Sequence, residues 1–274
     1  MTDFLRRLLM TPQGLLGSII VVLVLFAAVT GGWFAPHDPD AMAALARYKP
    51  PGGEYLLGTD QYGRDILSRI LSGARSTVTM ALLATVLGTL LGAVVGTASA
   101  YLGGRWDEFI MRTIDAVMAI PSLLLALLVV SLLGAGGANA LLAVAVAFMP
   151  GMARITRAVA LTVRKQDYVS AAIARGEGSG YIVLREMLPN VVAPIVVELT
   201  IRVSFAVMLF ATLSFLGLGA QPPAADWGLM VSEARQYLHR SPWILIWPSA
   251  IIAVTAIGFN LLGDGLRDAL NPRT

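Results

Sequence analysis

Residues 77–101 read TVTMALLATVLGTLLGAVVGTASAY, twenty-five positions without one acidic or basic side chain. A helix needs about 20 mostly apolar residues to cross the hydrocarbon core of a bilayer, so this stretch predicts a membrane span. Within it Ala84, Gly88, Gly92, Gly96 and Ala100 recur every fourth residue. On a helix they form a smooth stripe that lets another helix approach closely, either from this chain or from a partner subunit. The rest of the chain follows the same pattern. Of its 274 residues 57% are hydrophobic and 14% charged, with a mean hydropathy of +0.74. A soluble domain carries about a quarter charged residues. So few charges cannot cover a water-facing surface, and the fold class that follows is an all-α membrane protein.

Six stretches are long enough to span: Leu15–Phe34, Thr77–Tyr101, Phe109–Leu133, Asn139–Leu161, Ala193–Leu218 and Trp243–Leu262. The third, fourth and sixth contain Pro121, Pro150 and Pro248, which predict local kinks. The first follows Arg6 and Arg7 as a signal peptide would, but its apolar core is too long for a cleaved h-region, so it reads as an uncleaved span. With the N-terminus in the cytoplasm, twelve Lys and Arg residues, Arg164, Lys165, Arg175, Arg185 and Arg273 among them, fall inside and seven outside. Both termini are therefore expected in the cytoplasm. The expected organisation is 1–34, a tail and first span; 35–76, an outer segment; 77–266, the membrane core with a cytoplasmic loop 162–192; and 267–274, a tail. In the outer segment, Ile66, Leu67, Ile70 and Leu71 share one helical face and Asp65 and Arg69 the other, which predicts a short helix on the membrane surface. Trp33, Trp227, Trp243 and Trp247 fall near outer ends of spans, as an aromatic belt would.

Catalytic chemistry finds little support. Cysteine is absent and His37 and His239 stand far apart, so no metal site or nucleophile is expected. No Gly-x-x-x-x-Gly-Lys-Ser/Thr loop is present, so the chain does not bind ATP in that manner. The net charge of +3 serves orientation in a membrane rather than nucleic-acid binding. Charges inside spans are costly, about 2.5–3.5 kcal/mol each at mid-membrane. Asp115 lies in the third stretch; Glu198 and Arg202, four apart in the fifth, can pair. Each is either a structural ion pair or part of a polar path. Arg154, Arg157 and Arg164 read as headgroup anchors.

The connection 162–192 carries Ala171, Ala172, Ile173 and Ala174, which favour a short helix. Gly176–Gly180 interrupts it, and a second helix over Tyr181–Leu188 is expected to end before Pro189. Two small helices make a compact knob on which small residues would let a protein dock.

That segment resembles the EAA loop of ABC-importer permeases. Ser170, Ala171, Ala172 and Gly176 match its first half, with Ser in place of Glu, and Met187, Leu188 and Pro189 close it, with Glu186 where a histidine is usual. Gly58-Thr-Asp-Gln-Tyr-Gly-Arg-Asp-Ile-Leu-Ser-Arg69, Met111–Asp115 with Ala119–Pro121, Leu213–Gly219 with Asp226-Trp-Gly228, and Phe259–Asp268 are similar to segments of dipeptide, oligopeptide and nickel permeases, nearest to C-type subunits. The resemblance implies a type I importer permease fold with six transmembrane helices, in a bacterial-type inner membrane. It implies half of a translocation pore for di- or oligopeptides, shared with a homologous B-type permease. Two ABC ATPases would carry ATP and Mg and dock on the loop, and an extracytoplasmic binding protein would deliver substrate. Nickel chelates or glutathione are alternative cargoes. A secondary transporter, the rival of a different class, predicts inverted repeats, and none is evident.

Overall fold

The computed structural model describes residues 2–270; Arg273 and the end of the 267–274 tail lie outside the described residues. Helices are α1 (Thr2–Met10), α2 (Pro12–Thr30), α3 (Ile66–Leu102), α4 (Gly104–Met118), α5 (Ser122–Leu133), α6 (Gly137–Val163) and α7 (Asp167–Ala174). They continue with α8 (Ser179–Tyr181), α9 (Val192–Phe215), α10 (Trp227–Ala234) and α11 (Trp243–Leu270). Among the described residues five runs are long and apolar enough to cross a membrane: α2, α3, α6, Ser179–Phe215 and α11. α4 and α5 make a sixth only as a pair, bent by 91°.

Local chemistry explains where the spans depart from the apolar stretches. The first helix lies a few residues earlier than Leu15–Phe34, because Thr11 accepts a bond from the Gly14 amide and Pro12 opens the first turn. The third stretch is not one kinked helix. Pro121 has no N–H to donate, and the chain turns sharply over Ala119–Pro121 before α5 starts. The last helix runs to Leu270 because its glycines are contact points rather than breaks. A Cβ at Gly263 would meet Ile201, and one at Gly265 would meet the backbone of Gly14.

Over the described residues the chain divides into two compact units. The first takes in Met1–Leu83, Val130–Leu141 and Thr200–Thr274. In its core Val24 and Ala28 of α2, Ile66, Ile70, Ala74 and Val78 of α3, Trp227 and Met230 of α10, and Ile244 of α11 pack together. The expected surface helix is not separate: Ile66–Leu71 is the first part of α3, and Ile66 and Ile70 belong to this core. Nor is Trp227 part of an aromatic belt. It is fully buried, and its Nε1 donates to the Ile70 carbonyl at 2.9 Å. Asp226 caps α10 through the Leu229 amide and accepts a bond from Thr77 Oγ1 at 2.8 Å.

The loop before α3 is built on buried charge. Arg64 Nε contacts Asp60 Oδ2 at 2.5 Å and Arg64 Nη2 contacts Glu233 Oε2 at 2.6 Å. Arg69 reaches Asp40 at 3.1 Å. Burial pulls the Arg64 pKa down, but Asp60 and then Glu233 outweigh it and hold it above the ordinary arginine value. Asp65 and Arg69, expected on a solvated face, are both buried. Gly63 sits at φ +80°, with the Ala43 carbonyl where a Cβ would be, so only glycine fits this turn.

The second unit comprises Ala84–Val129 and Leu142–Leu199. Here the stripe on α3 meets α6 of the same chain. A Cβ at Gly88 would lie 2.6 Å from the Ala145 carbonyl and one at Gly92 2.6 Å from that of Met149, and Gly96 is as close to Ala153. Two helix backbones thus touch along the seam, which is how van der Waals packing holds helices together in lipid. Of the two expected occupants, the one in this chain is present.

Candidate functional site

The loop from Gln166 to Pro189 folds as a knob on the second unit. Asp167 opens α7, where an acidic side chain favours the helix N-terminus. Val169 and Ala172 form its buried face; they join Ile182, Met187 and Val191 from the returning chain, Ala93 and Ala100 from α3, and Met152 and Ala160 from α6 in one core. α7 stops in a Schellman turn. The Gly176 amide donates to the Ile173 carbonyl at 3.0 Å and the Glu177 amide to that of Ala172 at 3.2 Å. Gly176 takes φ +78° with open space around it, so conformation and not room selects glycine.

The second helix does not end before Pro189. From Ser179 the chain runs through a π turn (Ile182–Met187) and a 3-10 turn (Leu188–Val191) directly into α9. Proline lacks an amide proton and crowds the carbonyl four residues back. The wider turn before it accommodates both effects, as single π turns do inside longer helices.

The predicted loop residues separate into two groups. Ala172 is fully buried and Leu188 half-buried against the same core; their role is to hold the knob in place. Ser170, Ala171 and Pro189 are exposed. Glu186 faces its own knob: Arg175 Nη2 lies 3.4 Å from its carboxylate, across the glycine turn. Burial, then the charge of Glu186, pushes the Tyr168 phenol up. The exposed face also bears large apolar side chains that sequence reading did not single out, with Ile173 at 52%, Leu184 at 51% and Tyr181 at 46% exposure. Ile173 lies outside the candidate spans, and Tyr181 and Leu184 stand in the first turns of the 37-residue run Ser179–Phe215, which is far longer than the about 20 residues a span needs. An exposed apolar patch at such a place marks a surface for a protein.

A second cluster ties α4 to α6. Arg157 Nε donates to Asp107 Oδ1 at 2.6 Å, Ser99 Oγ donates to the same carboxylate at 2.5 Å, and Arg154 pairs with Asp115. Arg157 and Arg154, read as headgroup anchors, instead bind acids about one and three turns into α4. Arg164 Nη1 donates to the Ala100 carbonyl at 3.0 Å. Glu198 and Arg202 lie one turn apart on α9, both half-buried. Among the described residues no group of three His, Cys, Asp or Glu side chains could hold a metal.

Residues 84–274 match the family described as the binding-protein-dependent transport system inner membrane component. The chain belongs to this family. Residues 1–51 of this transport component also match the N-terminal transmembrane domain of oligopeptide transport permease C. Over 268 residues it is 41% identical to a putative peptide transport system permease protein of Brucella suis biovar 1, covering 98% of this chain and 90% of that one. It is 41% identical over 265 residues to the dipeptide transport system permease protein DppC of Haemophilus influenzae, covering 94% and 90%. Its fold resembles a chain of the MetNI methionine ABC transporter in inward-facing conformations, with a TM-score of 0.57 at 17% identity over 74% of this chain and 97% of that one. The transport component therefore has the fold of an ABC importer permease and crosses the membrane several times.

Proposed function

We propose that this chain is one of two pore-forming permease subunits of an ATP-driven importer for di- and oligopeptides in a bacterial inner membrane, with both termini in the cytoplasm. The observation that carries the coupling half of this reading is the knob: a rigidly packed element with an exposed apolar face of Ile173, Tyr181 and Leu184. Two ATPase subunits dock there and supply all ATP chemistry. ATP binding draws the knobs of the two permeases together and turns the pore outward; hydrolysis resets it. Because Val191 and Ile195 share the knob's core, a push on the knob is delivered to the start of α9. A homologous B-type permease supplies the other half of the pore, and an extracytoplasmic binding protein delivers the cargo.

Peptide cargo rests on the relatives with peptide and dipeptide names, at about 40% identity over nearly the whole chain. The test is to purify the intact complex with its binding protein and identify the released ligand by mass spectrometry. Peptides of a few residues are expected. A nickel chelate or glutathione in their place would overturn the peptide assignment and leave the family untouched.

A further inference from the structure

Asp115 and Arg154 form an ion pair in an improbable place for a lipid-facing surface. α6 runs from Gly137 to Val163, so its midpoint is residue 150, and Arg154 lies four residues, about 6 Å, beyond it. With the midpoint of α6 placed at the bilayer midplane, the pair lies inside a hydrocarbon core whose half-thickness is about 15 Å. Yet Arg154 is 52% and Asp115 59% exposed on this chain. In lipid each such charge costs about 2.5–3.5 kcal/mol. Arginine can bend its long side chain toward an interface, but this guanidinium is held by Asp115, and aspartate has no length to follow it.

The backbone beside it raises the same problem independently. Asp115 is one turn before the 91° elbow between α4 and α5, and residues 118–124 are exposed throughout. Broken backbone at membrane depth is tolerated only where protein covers it or water fills a cavity beside it. One turn earlier on the same face, Arg112 and Glu108 form a second pair, 77% and 60% exposed. A protein partner would have to desolvate both pairs, and the centres of protein interfaces are depleted of charge. Water does not.

We propose that Arg112, Asp115, Arg154 and the Ala119–Pro121 elbow line a water-filled translocation path, where passing solute meets an ion pair of this chain. The inference rests on the reading of the chain as a permease. It identifies the pore-facing side of α4 and assigns Arg154 to it.

The absence of cysteine makes the test direct. Ala116→Cys and Ala119→Cys fall on the proposed face, one turn apart; Val22→Cys, 63% exposed on the apolar helix α2, is the control. Each is placed in the assembled importer in membrane vesicles and treated from both sides with a charged maleimide. A thiol reacts as its thiolate, which forms in water and not in lipid. Both path variants should react at least about tenfold faster than Val22→Cys. Rates equal to the control's, or labelling only after the second permease is removed, would overturn the proposal, the latter by making the face an interface. Failure of these complexes to import peptide while the path cysteines react would count against the importer reading alone, so the two can fail separately.

Discussion

Replacing Arg64 by methionine is expected to destabilise the chain by about 3–5 kcal/mol, the usual effect of removing one partner from a buried ion pair. Arg64 and Asp60 are both almost fully buried, at 3% and 7% exposure, and the same guanidinium also meets Glu233 across 169 residues of sequence. Methionine fills much of the volume but leaves Asp60 and Glu233 without the cation that bonds them directly, with only the more distant charge of Arg69 to offset them. The damage is more than electrostatic, because the Asp60 carboxylate also accepts the Tyr62 and Arg64 amides and so shapes the turn that enters α3. Thermal unfolding in detergent should show the transition falling by roughly 10 °C. Adding Asp60→Asn should recover part of the loss, because one of the two carboxylates left without that partner is gone. A transition within one or two degrees of the parent's would mean that the cluster is solvated and contributes little.

Changing both Ile173 and Leu184 to glutamate should separate the permease from its ATPases without unfolding it. Both side chains point away from the knob's core and stand about half exposed, so little folding energy depends on them. If they are anchors at a protein interface, each is worth about 2 kcal/mol, or roughly thirtyfold in affinity. The expected outcome is a permease with an unchanged unfolding transition that no longer co-purifies with ATPase subunits. Ala172→Leu behaves differently: Ala172 is wholly buried beside Val169, Ile182 and Met187, and the larger side chain destabilises the knob itself. If the double variant retained its ATPases, the exposed apolar face would not be the docking surface.

What could be read in the sequence depended on how local its cause was. Hydropathy over 20 residues located the long helices, because the length of a span is set by the bilayer. The period of four in Gly88, Gly92 and Gly96 gave the seam but not its occupant, since periodicity does not say what lies opposite. Pro121 marked a kink, but no local pattern gives the 91° bend found there or the ties from α4 to α6 through Arg154 and Arg157. The surface helix failed for the same kind of reason. Asp65 and Arg69 look solvated in a local pattern, whereas their surroundings come from Asp40, Ala224 and other distant residues. The segments that carried the family resemblance prove to be places where the chain meets itself. Gly58–Arg69 pairs with Glu233, Asp226-Trp227 closes on Thr77 and Ile70, and Gly228 packs on Ala211. In the loop Gln166–Pro189, the motif positions identified the element, but the exposed Ile173, Tyr181 and Leu184 stood at its unmatched positions.

The most direct test of the central claim is uptake of a labelled dipeptide into proteoliposomes holding the whole complex, with binding protein outside this chain's pore and ATP supplied to the ATPase side. Accumulation that requires ATP and the binding protein, and is lost with Ile173→Glu and Leu184→Glu while the permease stays folded, is the predicted result. Dipeptide uptake that proceeds without ATP, or that the double variant sustains at the parent's rate, would contradict it.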